Sequence, residues 1–159
     1  MDVEKQFAEL YRQIAEKIVF MIPTKWTNLY YLGEVEKGKQ SWSSVFYFYD
    51  AEKGTVERSH EIPSVYNISQ DVYQKLLSEL DSLLLALYDS FADNGQMLWE
   101  QVSLSVSDTG AFNVDFDYDV MHEDDGGPIR RELMWAHKTF EYVPKEGSYF
   151  RKIFDKYAR

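Results

Sequence analysis

The stretch that most constrains this chain is Gln101 to Asp125, QVSLSVSDTGAFNVDFDYDVMHEDD, because its first part alternates strictly between apolar and polar residues. Val102, Leu104 and Val106 alternate with Gln101, Ser103, Ser105 and Ser107; Phe112, Val114, Phe116 and Tyr118 alternate with Asn113, Asp115, Asp117 and Asp119. A period of two is the period of a half-buried strand, and the turn-like Ser107-Asp108-Thr109-Gly110 between the arms predicts a β-hairpin. Successive strand side chains point to opposite faces, so Asp115, Asp117 and Asp119 are expected on one surface about 7 Å apart, beside a row of serines. Glu123, Asp124 and Asp125 extend the negative charge. Like charges held this close require either a basic partner or ample water.

The rest of the chain supplies what such a hairpin needs to pack against. Phe7, Leu10, Tyr11, Ile14, Ile18 and Met21 recur at helical spacing and predict an amphipathic helix ending before Pro23. Leu29 to Val35, Ser44 to Tyr49 and Thr55 to Glu61 read as three antiparallel strands joined by short turns, the middle one bulky on both faces. After a connector at Pro63 to Asn67, Ser69 is the expected N-cap of a long helix. Ile68 and Tyr73 form its staple, Leu76 to Phe91 its wide apolar stripe, and Asn94-Gly95 its stop. Beyond the hairpin, Pro128 opens a helix to about Phe140, and Ser148 to Tyr157 predicts a short last helix with Tyr149, Phe150, Ile153 and Phe154 inward. The order predicts one α+β domain over residues 1–159. An antiparallel sheet of about five strands is packed on one face by long helices, and the other face, with the Ser and Asp row, is left partly open.

Composition narrows the function. A net charge of -10 argues against a broad basic face for nucleic acid or an anionic membrane and favours a basic protein partner. The absence of cysteine excludes thiolate catalysis and zinc-thiolate sites and suits a reducing compartment. No stretch approaches the roughly 20 apolar residues of a membrane span, and the charged N-terminus lacks a signal core, so a cytoplasmic protein is expected. Asp115, Asp117 and Asp119 resemble the start of a calcium loop, but the sixth position is Val120 and the twelfth carries no glutamate. A looser Mg²⁺ site, and with it a metal-dependent enzyme, stays as the alternative reading of these carboxylates. His60, His122 and His137 have no nucleophile motif beside them and read as surface residues, with His122 a pH-sensitive contact among carboxylates. Arg130 and Arg131 read as a solvated basic turn. Trp26, Trp42, Trp99 and Trp135 are core anchors by default, Trp42 the one most open to a contact role.

Several segments in order resemble the YezG-like immunity proteins: LYRQIAEKIVFMIPTKW, VFYFYD, SHEIPSVYNIS, FADNGQMLWEQVSLSVSDTGAFNVDFDYD and RRELMWAHK. These are bacterial antitoxins that accompany secreted LXG-type and related nuclease toxins. The resemblance implies a cytoplasmic protein that binds the toxic domain of a cognate nuclease until export, without chemistry or cofactor of its own. Asp115, Asp117, Asp119, Glu123, Asp124 and Asp125 would meet Lys and Arg side chains of the toxin. Trp42, Tyr47 or Tyr49 would be the aromatic anchors. A scaffold or regulatory binding domain with no toxin is the remaining alternative.

Overall fold

In the computed structural model, which describes residues 2–157, helix α1 spans Val3–Met21 and is capped by the Asp2 carboxylate, which accepts from the Glu4 amide. Phe7, Ile14, Ile18 and Met21 are its buried stripe. The chain then runs through β1 (Trp26–Val35), β2 (Trp42–Asp50) and the short β3 (Thr55–Arg58), paired antiparallel as a meander. The third strand is shorter than its sequence pattern suggests, because Ser59–Glu61 winds into a 3-10 turn and Ile62–Tyr66 into the brief helix α2, with Pro63 in its first turn. Ser59 accounts for the break: its buried hydroxyl accepts the Phe46 amide at 3.0 Å, replacing a ladder partner.

Helix α3 (Gln70–Asp93) starts on Ser69, whose hydroxyl accepts from the Val72 amide. Its buried line of Tyr73, Leu80, Leu84, Leu87, Tyr88 and Phe91 packs with α1 over one face of the sheet. The hairpin β4 (Gln101–Ser107) and β5 (Phe112–Asp117) completes a five-stranded sheet of order β3-β2-β1-β4-β5. The α+β class and the helix-covered antiparallel sheet are as the sequence implies.

Strand β1 is central, and its register sets which residues meet the helices. Leu29, Tyr31, Gly33 and Val35 share the helix-facing side with Phe46 and Phe48 of β2 and with Val102 and Leu104 of β4. Gly33 is where α3 comes closest: a Cβ there would stand 2.5 Å from Leu84 Cδ1 and 2.7 Å from the Tyr31 hydroxyl. That hydroxyl is wholly buried and bonds Ser44 Oγ at 2.8 Å, and burial raises its pKa. Leu32, Val45 and Tyr47 point to the opposite side and are buried as well. The expected open face is therefore closed over the middle of the sheet, where so apolar a set would cost too much free energy left in water, and stays open at its margins, where Tyr49 and Val56 at one end and Asp115 and Asp117 at the other are exposed.

At the far end of β2, Asp50 organises the turn into β3. Its carboxylate accepts from the Tyr66 hydroxyl at 2.6 Å, from the Glu52 and Lys53 amides at 2.9 Å, and from Thr24 Oγ1 at 3.4 Å. Burial opposes ionisation, but these donors outweigh it and hold the carboxyl below the usual carboxylate range.

The described residues divide after Tyr118 into two compact units. The second contains α4 (Gly127–Phe140) and α5 (Tyr149–Tyr157). Trp135 meets Phe140 edge-on and His137 meets Phe154 likewise. Of the residues expected inward on α5, Phe154 is buried, whereas Tyr149 is 70% exposed.

Replacing Gly33 with valine forces its branched side chain onto Leu84 and Tyr31. We expect a loss of about 1 to 3 kcal/mol by urea denaturation, from overpacking alone, with the far-UV circular dichroism unchanged.

Candidate partner-binding surface

The hairpin is built from its turn outward. The Ser107 amide donates to the Ala111 carbonyl at 2.9 Å and the Gly110 amide to the Ser107 carbonyl at 3.0 Å, while Gly110 takes a positive φ of 92° that favours glycine. Ser107 Oγ accepts the Ala111 amide at 3.1 Å, and the Asp108 amide donates to the Thr27 carbonyl at 2.8 Å, tying the turn to the start of β1. The apolar side of the hairpin is anchored by Phe116, which packs at tilted angles against Phe91, Trp99 and Tyr11.

The polar side follows the predicted alternation as far as Asp117. Asp115 lies opposite Ser103 and Asp117 opposite Gln101, both acidic residues exposed. The Asn113 side-chain amide donates to Asp115 at 3.0 Å, and Gln101 donates to the buried Glu34 carboxylate at 2.8 Å. Asp119 does not join this row. Strand β5 ends at Asp117, and the Asp119 carboxylate lies 3.5 Å from His122 Nε2 in the bend that follows. Pairing stops because the residue in register with Asp119 would be Trp99, which turns into the core instead.

The later acidic residues separate into two kinds. Glu123 and Asp124 are exposed. Asp125 is buried and holds its own loop together: Oδ1 accepts the Gly127 amide at 2.7 Å, Oδ2 accepts the His122 amide at 3.0 Å and Arg131 Nη1 at 2.7 Å, and its carbonyl accepts Arg130 Nη1 at 3.0 Å. The two arginines are thus committed to this loop, not the solvated turn that their sequence context suggests. Gly126 and Gly127, both at positive φ, let the chain fold around the carboxylate. Burial on its own would raise the Asp125 pKa; the Gly127 and His122 amides and the Arg131 guanidinium bring it below the ordinary value.

The three aromatic candidates differ as sharply. Tyr47 is fully buried and has no surface to offer in this state, whereas Trp42 is 46% and Tyr49 38% exposed. His60 and His137 are likewise occupied, His60 Nδ1 lying 2.6 Å from the Tyr73 hydroxyl and His137 Nδ1 3.0 Å from the Tyr142 carbonyl. What remains exposed and acidic on the hairpin is Asp108, Asp115 and Asp117. From Gln101 to Asp125 the chain has seven acidic residues and no lysine or arginine. Among the described residues no three His, Asp or Glu side chains converge in a way that could hold a metal ion.

The profile of the YezG-like immunity proteins matches residues 7–154. Immunity protein YezG of Bacillus spizizenii is 32% identical over 145 residues, 91% of this chain and 88% of the relative. Immunity protein YezG of Bacillus subtilis is 30% identical over 138 residues, 87% of this chain and 90% of that one. The type VII secretion system protein EsaG of Staphylococcus aureus is 26% identical over 155 residues, covering 96% and 93% of the two chains.

Asp125→Ala should cost about 3 kcal/mol at pH 7, because it removes the ion pair with Arg131 and leaves the Gly127 and His122 amides without their acceptor. A carboxyl with a depressed folded pKa stabilises above its ordinary value, here 3.8, and that contribution fades as the pH falls through the lower folded value. Thermal melts of wild type and variant should therefore converge as the solution is acidified.

Proposed function

The chain belongs to the YezG-like immunity protein family, and from that membership we propose that it binds and neutralises a secreted nuclease toxin, one to one, in the cytoplasm of the producing cell. The match over residues 7–154 carries this reading. It spans both units of the chain, and it is supported by relatives of nearly the same length named for immunity and for type VII secretion.

The electrostatics fit such a partner. A nuclease holds phosphates with basic side chains, and an inhibitor of net charge -10 is drawn to the same field. The hairpin concentrates that attraction, since Asp115 and Asp117 project from β5 with no cationic neighbour in the hairpin sequence to neutralise them. Charge of this kind raises the association rate more than it deepens the bound state. The energy of the complex then falls to aromatic contacts, for which Trp42 and Tyr49 remain available and Tyr47 does not. The inhibitor needs no reaction of its own: occupying the toxin in a stable complex is sufficient.

The experiment is a surface-binding measurement against any toxin domain found encoded beside this chain, at several salt concentrations. Binding should weaken steeply with salt. Substituting both Asp115 and Asp117 with asparagine should slow association about tenfold at low salt while leaving dissociation nearly unchanged. Absence of binding by any neighbouring toxin domain at low salt would remove the proposal, and an unchanged association rate would move the contact away from this row.

A further inference from the structure

Strand β5 is the outermost strand of the sheet, and among the described residues it pairs with β4 alone. The bond from the Ser107 amide to the Ala111 carbonyl makes that pair a hydrogen-bonded one, and the register carries the same state to Asn113 and Asp115 at every second residue. The intervening Phe112, Val114 and Phe116 therefore turn their N–H and C=O groups outward, away from β4. An edge of this kind is a template for another strand.

What flanks this edge differs on its two sides. On the side facing the helices, a groove of about 440 Å³ runs between α1 and the start of β5, lined by Ala8, Tyr11, Ala15, Val19 and Phe112. Val19 is 39% and Phe112 44% exposed, so this is apolar surface left in water. At its rim Arg12 is held by Glu9 and Glu16 of its own helix and adds no free positive charge. On the other side of the same edge stand Asp115 and Asp117. A second copy is a poor occupant: pairing β5 with itself would bring the two acidic rows together, in chains that already carry -10 each.

We propose that the β5 edge and this groove together accept an extended segment of a basic protein partner, added as a sixth strand, whose side chains alternate between apolar residues in the groove and Lys or Arg beside Asp115 and Asp117. The proposal deepens the toxin-binding reading and rests on it for the partner's identity. Strand addition supplies main-chain hydrogen bonds through Phe112, Val114 and Phe116, and the period-two pattern supplies selectivity. The acidic residues then have two roles, excluding self-association and selecting a cationic strand.

The test uses a synthetic peptide alternating valine with lysine, and a control peptide of the same composition with its valines and lysines in separate blocks, titrated against the intact ¹⁵N-labelled protein. The alternating peptide should slow hydrogen exchange at the amides of Phe112, Val114 and Phe116 and shift the resonances of Val19; the block peptide should do neither. Val114→Pro deletes one outward donor without touching a bond to β4 and should weaken the peptide about tenfold. Val19→Gln, at an exposed helical position, should weaken it about threefold and serves if the proline variant unfolds. Equal effects of the two peptides, or unchanged exchange at the three amides, would overturn the proposal. If the toxin domain binds Val114→Pro and Val19→Gln as well as wild type, the edge is not its site while the immunity reading stands. If the peptide protects the edge but no toxin binds, the immunity reading fails alone.

Discussion

The pairing of β1 with β4 is the constraint on which the first unit depends. It joins segments about seventy residues apart, with Tyr31 opposite Leu104 and Gly33 opposite Val102. It makes β1 the centre of the sheet and gives α3 a continuous apolar bed. That bed works because one position in it has no side chain: at Gly33 the Leu84 methyl group occupies the space that a Cβ would need. Closing the sheet on this side also decides which strand is last. With β4 bound to β1, its hairpin partner β5 must be the edge.

Local chemistry made much of this readable from sequence. The N-cap Ser69, Pro128 in a first turn, and the leucine stripe of α3 each act over a few residues, and each lies where its pattern indicates; the connector expected at Pro63 to Asn67 instead winds into α2. Where long-range packing decides, the pattern misleads. Asp119 continues the alternation of Asp115 and Asp117, yet β5 stops two residues earlier because Trp99 belongs to the core and offers no rung opposite. Thr55 to Glu61 looks like one strand until the Ser59 hydroxyl takes the Phe46 amide. Tyr47 and Tyr49 are equivalent in an alternating strand and differ completely in burial, since Tyr47 lies mid-strand and Tyr49 one residue from the strand's end, a difference to which the period itself is blind.

The acidic stretch shows most clearly that charge in a sequence is not one kind of thing. Asp125 and Asp50 are each enclosed by donors and hold a turn. Asp115 and Asp117 are exposed on the outermost strand. The presence of Arg131 six residues on, and of two glycines between, is the local signal that set Asp125 apart; it is a signal of a capped loop more than of a surface. Removing Asp125 from the docking set leaves a smaller and more specific acidic surface at the sheet edge. A row of like charges costs folding energy, and a partner that repays it would explain why the edge carries acid and exposed apolar surface side by side.

Neutralisation by a stoichiometric complex, the proposed function, can be followed by titrating enzymatic activity. Nuclease activity of the proposed toxin partner would be followed while the protein is added in known amounts. Activity should fall in a straight line to zero at one equivalent and recover when the complex is dissociated. Activity that persists past several equivalents, or inactivation complete at a small fraction of an equivalent, would contradict it.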